Sequence, residues 1–169
     1  MENIIVKNGA VHYGGQEYKC AIGPNGVGQD KKEGDGKTPV GVFPLRRVFY
    51  RADRIQSLPT NLPLVVLSLD DAWCDDVNDL EHYNKHIKLP YVGSHENLWR
   101  EDDHLYDIIV EVGYNDDPPV PGKGSAIFMH IARPAFTPTG GCVALTQEDL
   151  MALLSQISPD TQIEIQENS

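Results

Sequence analysis

The chain has 169 residues, the size of one domain with a real hydrophobic core, and its 40% hydrophobic and 23% charged content places it with globular chains rather than disordered or membrane proteins. A formal net charge of −11 argues against a nucleic-acid binder, which needs a basic surface. The excess is localised: residues 70–117 hold fourteen acids and three bases, and the remainder is balanced.

Along the chain, Ile4-Ile5-Val6, Val11-His12-Tyr13 and Glu17–Ile22 alternate and are broken by Gly14-Gly15, which predicts short strands joined by tight turns. Residues 23–38 are Gly-rich and charged without an apolar period, and read as a loop. Strands are expected at Val40–Phe43, Arg46–Tyr50 and Leu64–Leu67. The acidic segment 70–117 reads as a long insert with one buried strand at Tyr106–Val112, and Ser125–Ile131 reads as another strand. Thr146-Gln-Glu-Asp149 fits a helix N-terminus, Leu150, Leu153, Leu154 and Ile157 follow at helical spacing, and Ser158-Pro159 stops the helix. Thr161–Gln166 alternates as a closing strand. The expectation is one mainly β domain over residues 1–169, with one helix near 147–157.

No apolar run approaches the roughly 18 residues of a membrane span, and no basic then apolar leader is visible at the start, so a cytoplasmic location is expected. Several chemical candidates fail on their spacing. Gly36-Lys37-Thr38 imitates the end of a phosphate-binding loop, but Lys31 stands where the first glycine belongs and Pro39 follows directly. His82 and His86 have a metal-compatible spacing, yet the glutamate of the HExxH pattern is missing and they read as surface histidines. The acid pairs Asp70-Asp71, Asp75-Asp76 and Asp102-Asp103 match no calcium loop and read as a solvated acidic face. Three cysteines without a CxxC pair suggest neither a disulfide framework nor a zinc ribbon, and Cys20 and Cys74 read as small buried hydrophobes.

The informative stretch runs from Phe128-Met129-His130 through Arg133 to Thr139-Gly140-Gly141-Cys142. A hairpin-like return would bring His130 to Cys142, and an imidazole beside a thiol can take its proton to make the nucleophile. The amides of Gly141 and Cys142 are then candidates for an oxyanion hole, with Gly140 easing the turn.

This His130…Thr139-x-Gly141-Cys142-Val143 pattern, together with the upstream Thr38-Pro39-Val40-Gly41-Val42-Phe43, resembles the YkuD-type L,D-transpeptidase catalytic domain. Tyr114-Asn115 ahead of the Ala126–His130 strand adds to the likeness. The chain departs from the family pattern in Ile131 for Gly after the histidine, Thr139 for Ser, and Ala144 for Arg two residues after the cysteine. Arg133 is the nearest replacement for gripping a substrate carboxylate.

The resemblance implies a YkuD-like β-sandwich or barrel and a cysteine enzyme of peptidoglycan stem peptides that needs no metal or organic cofactor. It makes Cys142 the nucleophile and His130 the base, oriented by the Ile131 carbonyl, with the terminal D-alanine of a tetrapeptide released from diaminopimelate through a thioester. With no export signal visible, an L,D-carboxypeptidase recycling muropeptides is favoured over an L,D-transpeptidase that cross-links walls or exchanges D-amino acids. An inactive muropeptide-binding relative is the reading from another class. Because the substrate is rich in carboxylates, the bases outside 70–117 should hold it: Arg133 and Lys123 first, with Arg46, Arg47, Arg51 and Arg54 further off. His95, Trp99 and Tyr106 in the insert, with Tyr114 and Asn115, are the other candidates for substrate contact.

Overall fold

The computed structural model describes residues 2–169. The strands β1 (Ile4–Lys7), β2 (Ala10–Tyr13) and β3 (Gln16–Lys19) form a meander, with Lys7 opposite Ala10 and Tyr13 opposite Gln16. That register leaves two-residue turns at Asn8-Gly9 and Gly14-Gly15, all four residues at positive φ, as tight hairpins require. The glycine-rich segment expected as loop carries a two-residue parallel pair, β4 (Val27–Gly28) and β5 (Thr38–Pro39).

The expected strands Val40–Phe43 and Arg46–Tyr50 are one strand, β6 (Gly41–Tyr50). Proline usually interrupts a strand because it cannot donate to the ladder. Pro44 is accommodated where pairing passes from residues 41–44 on one edge to 45–50 on the other. β7 (Leu64–Val66) pairs in parallel with the end of β6.

The acidic segment holds three strands the sequence did not announce, β8 (Asp71–Cys74), β9 (His86–Lys88) and β10 (His95–Asn97), in a separate antiparallel sheet with β8 central. Then follow β11 (Ile108–Val112), β12 (Phe128–Ile131), a 3-10 turn at Pro134–Phe136, β13 (Val143–Leu145), α1 (Gln147–Gln156) and β14 (Gln162–Ile165). The main sheet runs β13-β12-β11-β6-β14-β1-β2-β3. Its two ends meet where Ala21, just past β3, exchanges N–H···O bonds of 2.8 and 2.9 Å with Ala144 of β13, closing a near-complete barrel. The sandwich-or-barrel expectation thereby resolves to a barrel.

Thr146 caps α1 by accepting from the Asp149 amide at 3.1 Å, and the helix lays Leu150, Leu153 and Leu154, with Ile157 just past its end, into the main core. The sheet is buried on both faces around β11. Ile108, Val110 and Val112 face this core, whereas Ile109 joins Phe49, Phe128, Trp73, Leu98 and Tyr106 in a second core on the other side. Such two-sided burial explains the continuous apolar run of β11. The second core exists because the acidic insert lies over that face: Trp73 meets Phe128 edge-on at 5.0 Å, and Tyr106 meets it at 6.0 Å.

Candidate active site

His130 and Cys142 lie on the face of the sheet covered by the insert. β12 and β13 are parallel, with Met129 beside Val143 and His130 beside Ala144, so the connection 132–142 crosses over and is not the expected hairpin-like return. Parallel pairing is equally effective here. Alternation puts Phe128 and His130 on one face, and the same register puts Cys142 beside Phe128, whose amide reaches its Sγ at 3.4 Å. Both His130 and Cys142 line a cavity of about 240 Å3.

The histidine is oriented as the resemblance implies. Its Nδ1 lies 2.9 Å from the Ile131 carbonyl oxygen. A carbonyl only accepts, so Nδ1 carries the hydrogen and Nε2 has the free lone pair. The ring also packs edge-on against Tyr106 at 5.2 Å. Burial drives its pKa down to about 4, opposed by the Ile131 carbonyl and helped by the positive charges of Arg100 and Arg133. Burial pushes the Cys142 thiol up to about 12, with the Glu96 carboxylate acting in the same direction and Lys31 against it. At neutral pH the resting pair is therefore neutral thiol and neutral imidazole. The thiol donates to the Ala126 carbonyl at 3.2 Å.

The YkuD L,D-transpeptidase catalytic domain family matches residues 4–165. The chain belongs to this family. No curated protein matches it. Two crystal structures of the helical cell shape determining protein Pgp2 from Campylobacter jejuni are similar to it, a mutant form at 17% identity and TM-score 0.48, and a second at 15% and 0.46. Each comparison covers 98% of this chain and 47% of the other, so this YkuD domain spans about half the length of those proteins.

Around this YkuD pair, the loop before Cys142 is arranged differently from the expectation. The Gly141 amide donates to the Thr139 hydroxyl at 3.1 Å, and that hydroxyl donates to the Cys142 carbonyl at 2.7 Å. The Gly141 N–H is thus committed within the loop rather than presented to an oxyanion, and Thr139 acts as the clasp. Gly140 and Thr139 line the cavity, as does Arg133.

Tyr114, Asn115, His95 and Trp99 do not line the cavity. Tyr114 donates to the Lys123 carbonyl, and Asn115 ties Val120 and Gly124 into a turn, so the pair organises the approach to β12. His95 bonds the Gly93 carbonyl, and Trp99 lies under the Arg51 guanidinium at 3.4 Å. The arginines considered as distant carboxylate receptors are already paired: Arg46 with Asp116, Arg47 with Glu111, Arg51 with Asp53 and Arg54 with Asp107.

Sequence reasoning missed Glu33, Glu96 and Arg100, all of which line the cavity. It placed the bases for the substrate outside 70–117, yet Arg100 comes from inside that segment, held by Asp103. The insert also turns acids inward, Glu96 accepting from the Tyr106 hydroxyl and Asp75 from Ser94. The acidic pairs are accordingly not a uniformly solvated face: Asp71 is 1% exposed and bonded to His86 and Lys88. His82 and His86 are on no common helix, and each engages a different aspartate, Asp79 and Asp71. Cys20 and Cys74 are buried, as expected.

Proposed function

We propose that this YkuD domain is an L,D-carboxypeptidase of muropeptides, and that Cys142 and His130 carry the reaction. The supporting observation is their shared cavity, with the His130 tautomer set by Ile131. In this reading Cys142 Sγ attacks the diaminopimelate carbonyl while its proton passes to His130 Nε2. The carbon–nitrogen bond then breaks, His130 returns the proton to the departing amine, and D-alanine leaves from a thioester. Water, deprotonated by His130, cleaves the thioester, and the thiol recovers its proton. Because burial disfavours both ions at rest, the proton moves with the attack rather than before it.

Hydrolysis is favoured over transfer on the expectation of soluble muropeptides as the substrate. Arg133 lines the cavity, is exposed there, and is the carboxylate receptor in this proposal, whereas Arg100 is held by Asp103. Soluble muropeptides in the cytoplasm are the setting we propose, with L,D-transpeptidation as the alternative outcome of the same thioester. A non-catalytic muropeptide binder draws support from the committed Gly141 amide and from the thiol donating to the Ala126 carbonyl.

Incubating the protein with disaccharide-tetrapeptide, with and without a D-amino acid, separates these readings by product mass. Tripeptide and free D-alanine are expected, and both should vanish in Cys142→Ala. Exclusively exchanged or cross-linked products would replace the carboxypeptidase reading with transfer. Saturable binding with no product and no carbapenem adduct on Cys142 would leave the binder.

A further inference from the structure

Asn84, in the acidic insert, is 5% exposed and uses its whole side chain internally. Its Oδ1 accepts from the Trp73 indole at 2.9 Å and from the Ala126 amide at 3.0 Å, and its Nδ2 donates to the Tyr114 and Asn115 carbonyls at 3.0 and 2.7 Å. Four bonds are all that this amide can make. Ala126, the residue it grips, has φ +54°, a left-handed conformation that alanine seldom adopts. The carbonyl of that same residue receives the Cys142 thiol. The preceding residues are held as well: the Tyr83 hydroxyl accepts from the Gly124 amide and donates to Glu33, which also takes the Ser125 hydroxyl.

We propose that Asn84 is a positioning residue for the nucleophile: by holding Ala126 in its left-handed conformation it aims the Ala126 carbonyl at Cys142 Sγ, so that the resting thiol donates its hydrogen bond to this carbonyl and not to His130. A carbonyl oxygen accepts from a thiol but repels a thiolate, so the contact favours the protonated form. Substrate entering the cavity must draw the thiol off Ala126 before His130 can take its proton. The insert thereby acts as a latch on the nucleophile as well as a roof over it. The inference rests on Cys142 being the reactive thiol of the site. The other groups acting on its charge are the Phe128 amide, which donates to Sγ and works against the latch, Glu96, Lys31 and Tyr106, with His130 in the same cavity.

Asn84→Gly is the informative change, because glycine keeps the φ of +58° at residue 84 without strain while removing the side chain. The readout is the alkylation rate of Cys142 by iodoacetamide from pH 7 to 10, followed by mass spectrometry on the full chain. The expected result is a profile displaced to lower pH by about one unit, equivalent to about tenfold faster labelling on its rising limb. Trp73→Phe removes the other donor to the same Oδ1 and should lower the melting temperature without displacing the profile. An unmoved profile in Asn84→Gly, faster labelling there with the Cys142 S–H band at its native position, which reports access alone, or the same displacement in Trp73→Phe would each overturn the proposal. Should Asn84→Gly not fold, Asn84→Ser is put through the same pH series. The infrared S–H band, isolated as native minus Cys142→Ala, must in addition lie below that of a free thiol, and an unshifted band overturns the latch. Labelling does not depend on peptide turnover, so the latch and the carboxypeptidase reading can fail separately.

Discussion

A methyl group on Gly141 would lie 2.8 Å from the Lys37 carbonyl oxygen, at a φ of +131° that residues with a side chain rarely adopt. The glycine ahead of Cys142 is therefore required by the close approach of the loop that contains Lys37. Gly141→Ala should lower stability by roughly 1–3 kcal/mol and reduce D-alanine release, measured by denaturant melts and product assay. Arg133 is the other residue with a specific consequence. It lines the cavity, and among the described residues it takes part in no ion pair, whereas Arg100 is committed to Asp103. Arg133→Ala should raise KM about ten- to a hundredfold, the equivalent of losing a charge-assisted bond worth ~1.5–3 kcal/mol, while leaving the Cys142 alkylation rate near its native value. An unchanged KM would remove Arg133 from substrate binding. His130 and Cys142 could be singled out as candidates because few residue types can carry the chemistry proposed for them, and the structure lines one cavity with both. The fate of the Gly141 amide was not legible, because it depends on where the Thr139 hydroxyl points.

Among the elements, α1 was the most legible, since its cap, its apolar spacing and its stop are all local. Its energetics follow from the same features: Thr146→Ala should cost about 1 kcal/mol from the lost cap and Leu153→Ala roughly 2–5 kcal/mol from the cavity left in the core. A loss at Leu153 no larger than at Thr146 would mean that the helix contributes little to the barrel core. β8 is the opposite case. Asp71-Ala72-Trp73-Cys74 is buried throughout, with Trp73 in the second core and Ala72 and Cys74 packed with Ile87 on the other side. Burial on both faces erases alternation, and the buried Asp71 is tolerated only because His86, Lys88 and the Ser68 amide satisfy it. β6 was divided at Pro44 for an equally local reason, and only the change of partner at that point shows the strand to be continuous.

For the whole molecule, the roof formed by the insert couples the site to stability. His130 titrates near 4 when folded and near 6.5 when unfolded, so between these values the unfolded chain binds more protons and stability falls as pH is lowered. Cys20 and Cys142 titrate near 12 when folded against 9 unfolded, so above pH 9 the folded chain holds more protons and stability falls as pH rises. Denaturant melts should show a plateau from about pH 6.5 to 9, and Cys142→Ala should flatten the alkaline limb. A limb of unchanged steepness would show that the thiol is less buried than the fold implies.

The sequence by itself determined what is local or chemically distinctive: a mainly β chain, one capped helix, His130 and Cys142 as the candidate pair, and an acidic excess confined to 70–117. Only the tertiary structure decided what that excess is for. Arg46, Arg47 and Arg54 neutralise part of it, while Glu96 and Asp75 are turned into the cavity and Asn84 grips the backbone beside the thiol. Charge counts and periodicity carry no direction. Whether a side chain faces water, a partner or a nucleophile is set by which strands become neighbours, and here that neighbour is a second sheet laid across the barrel.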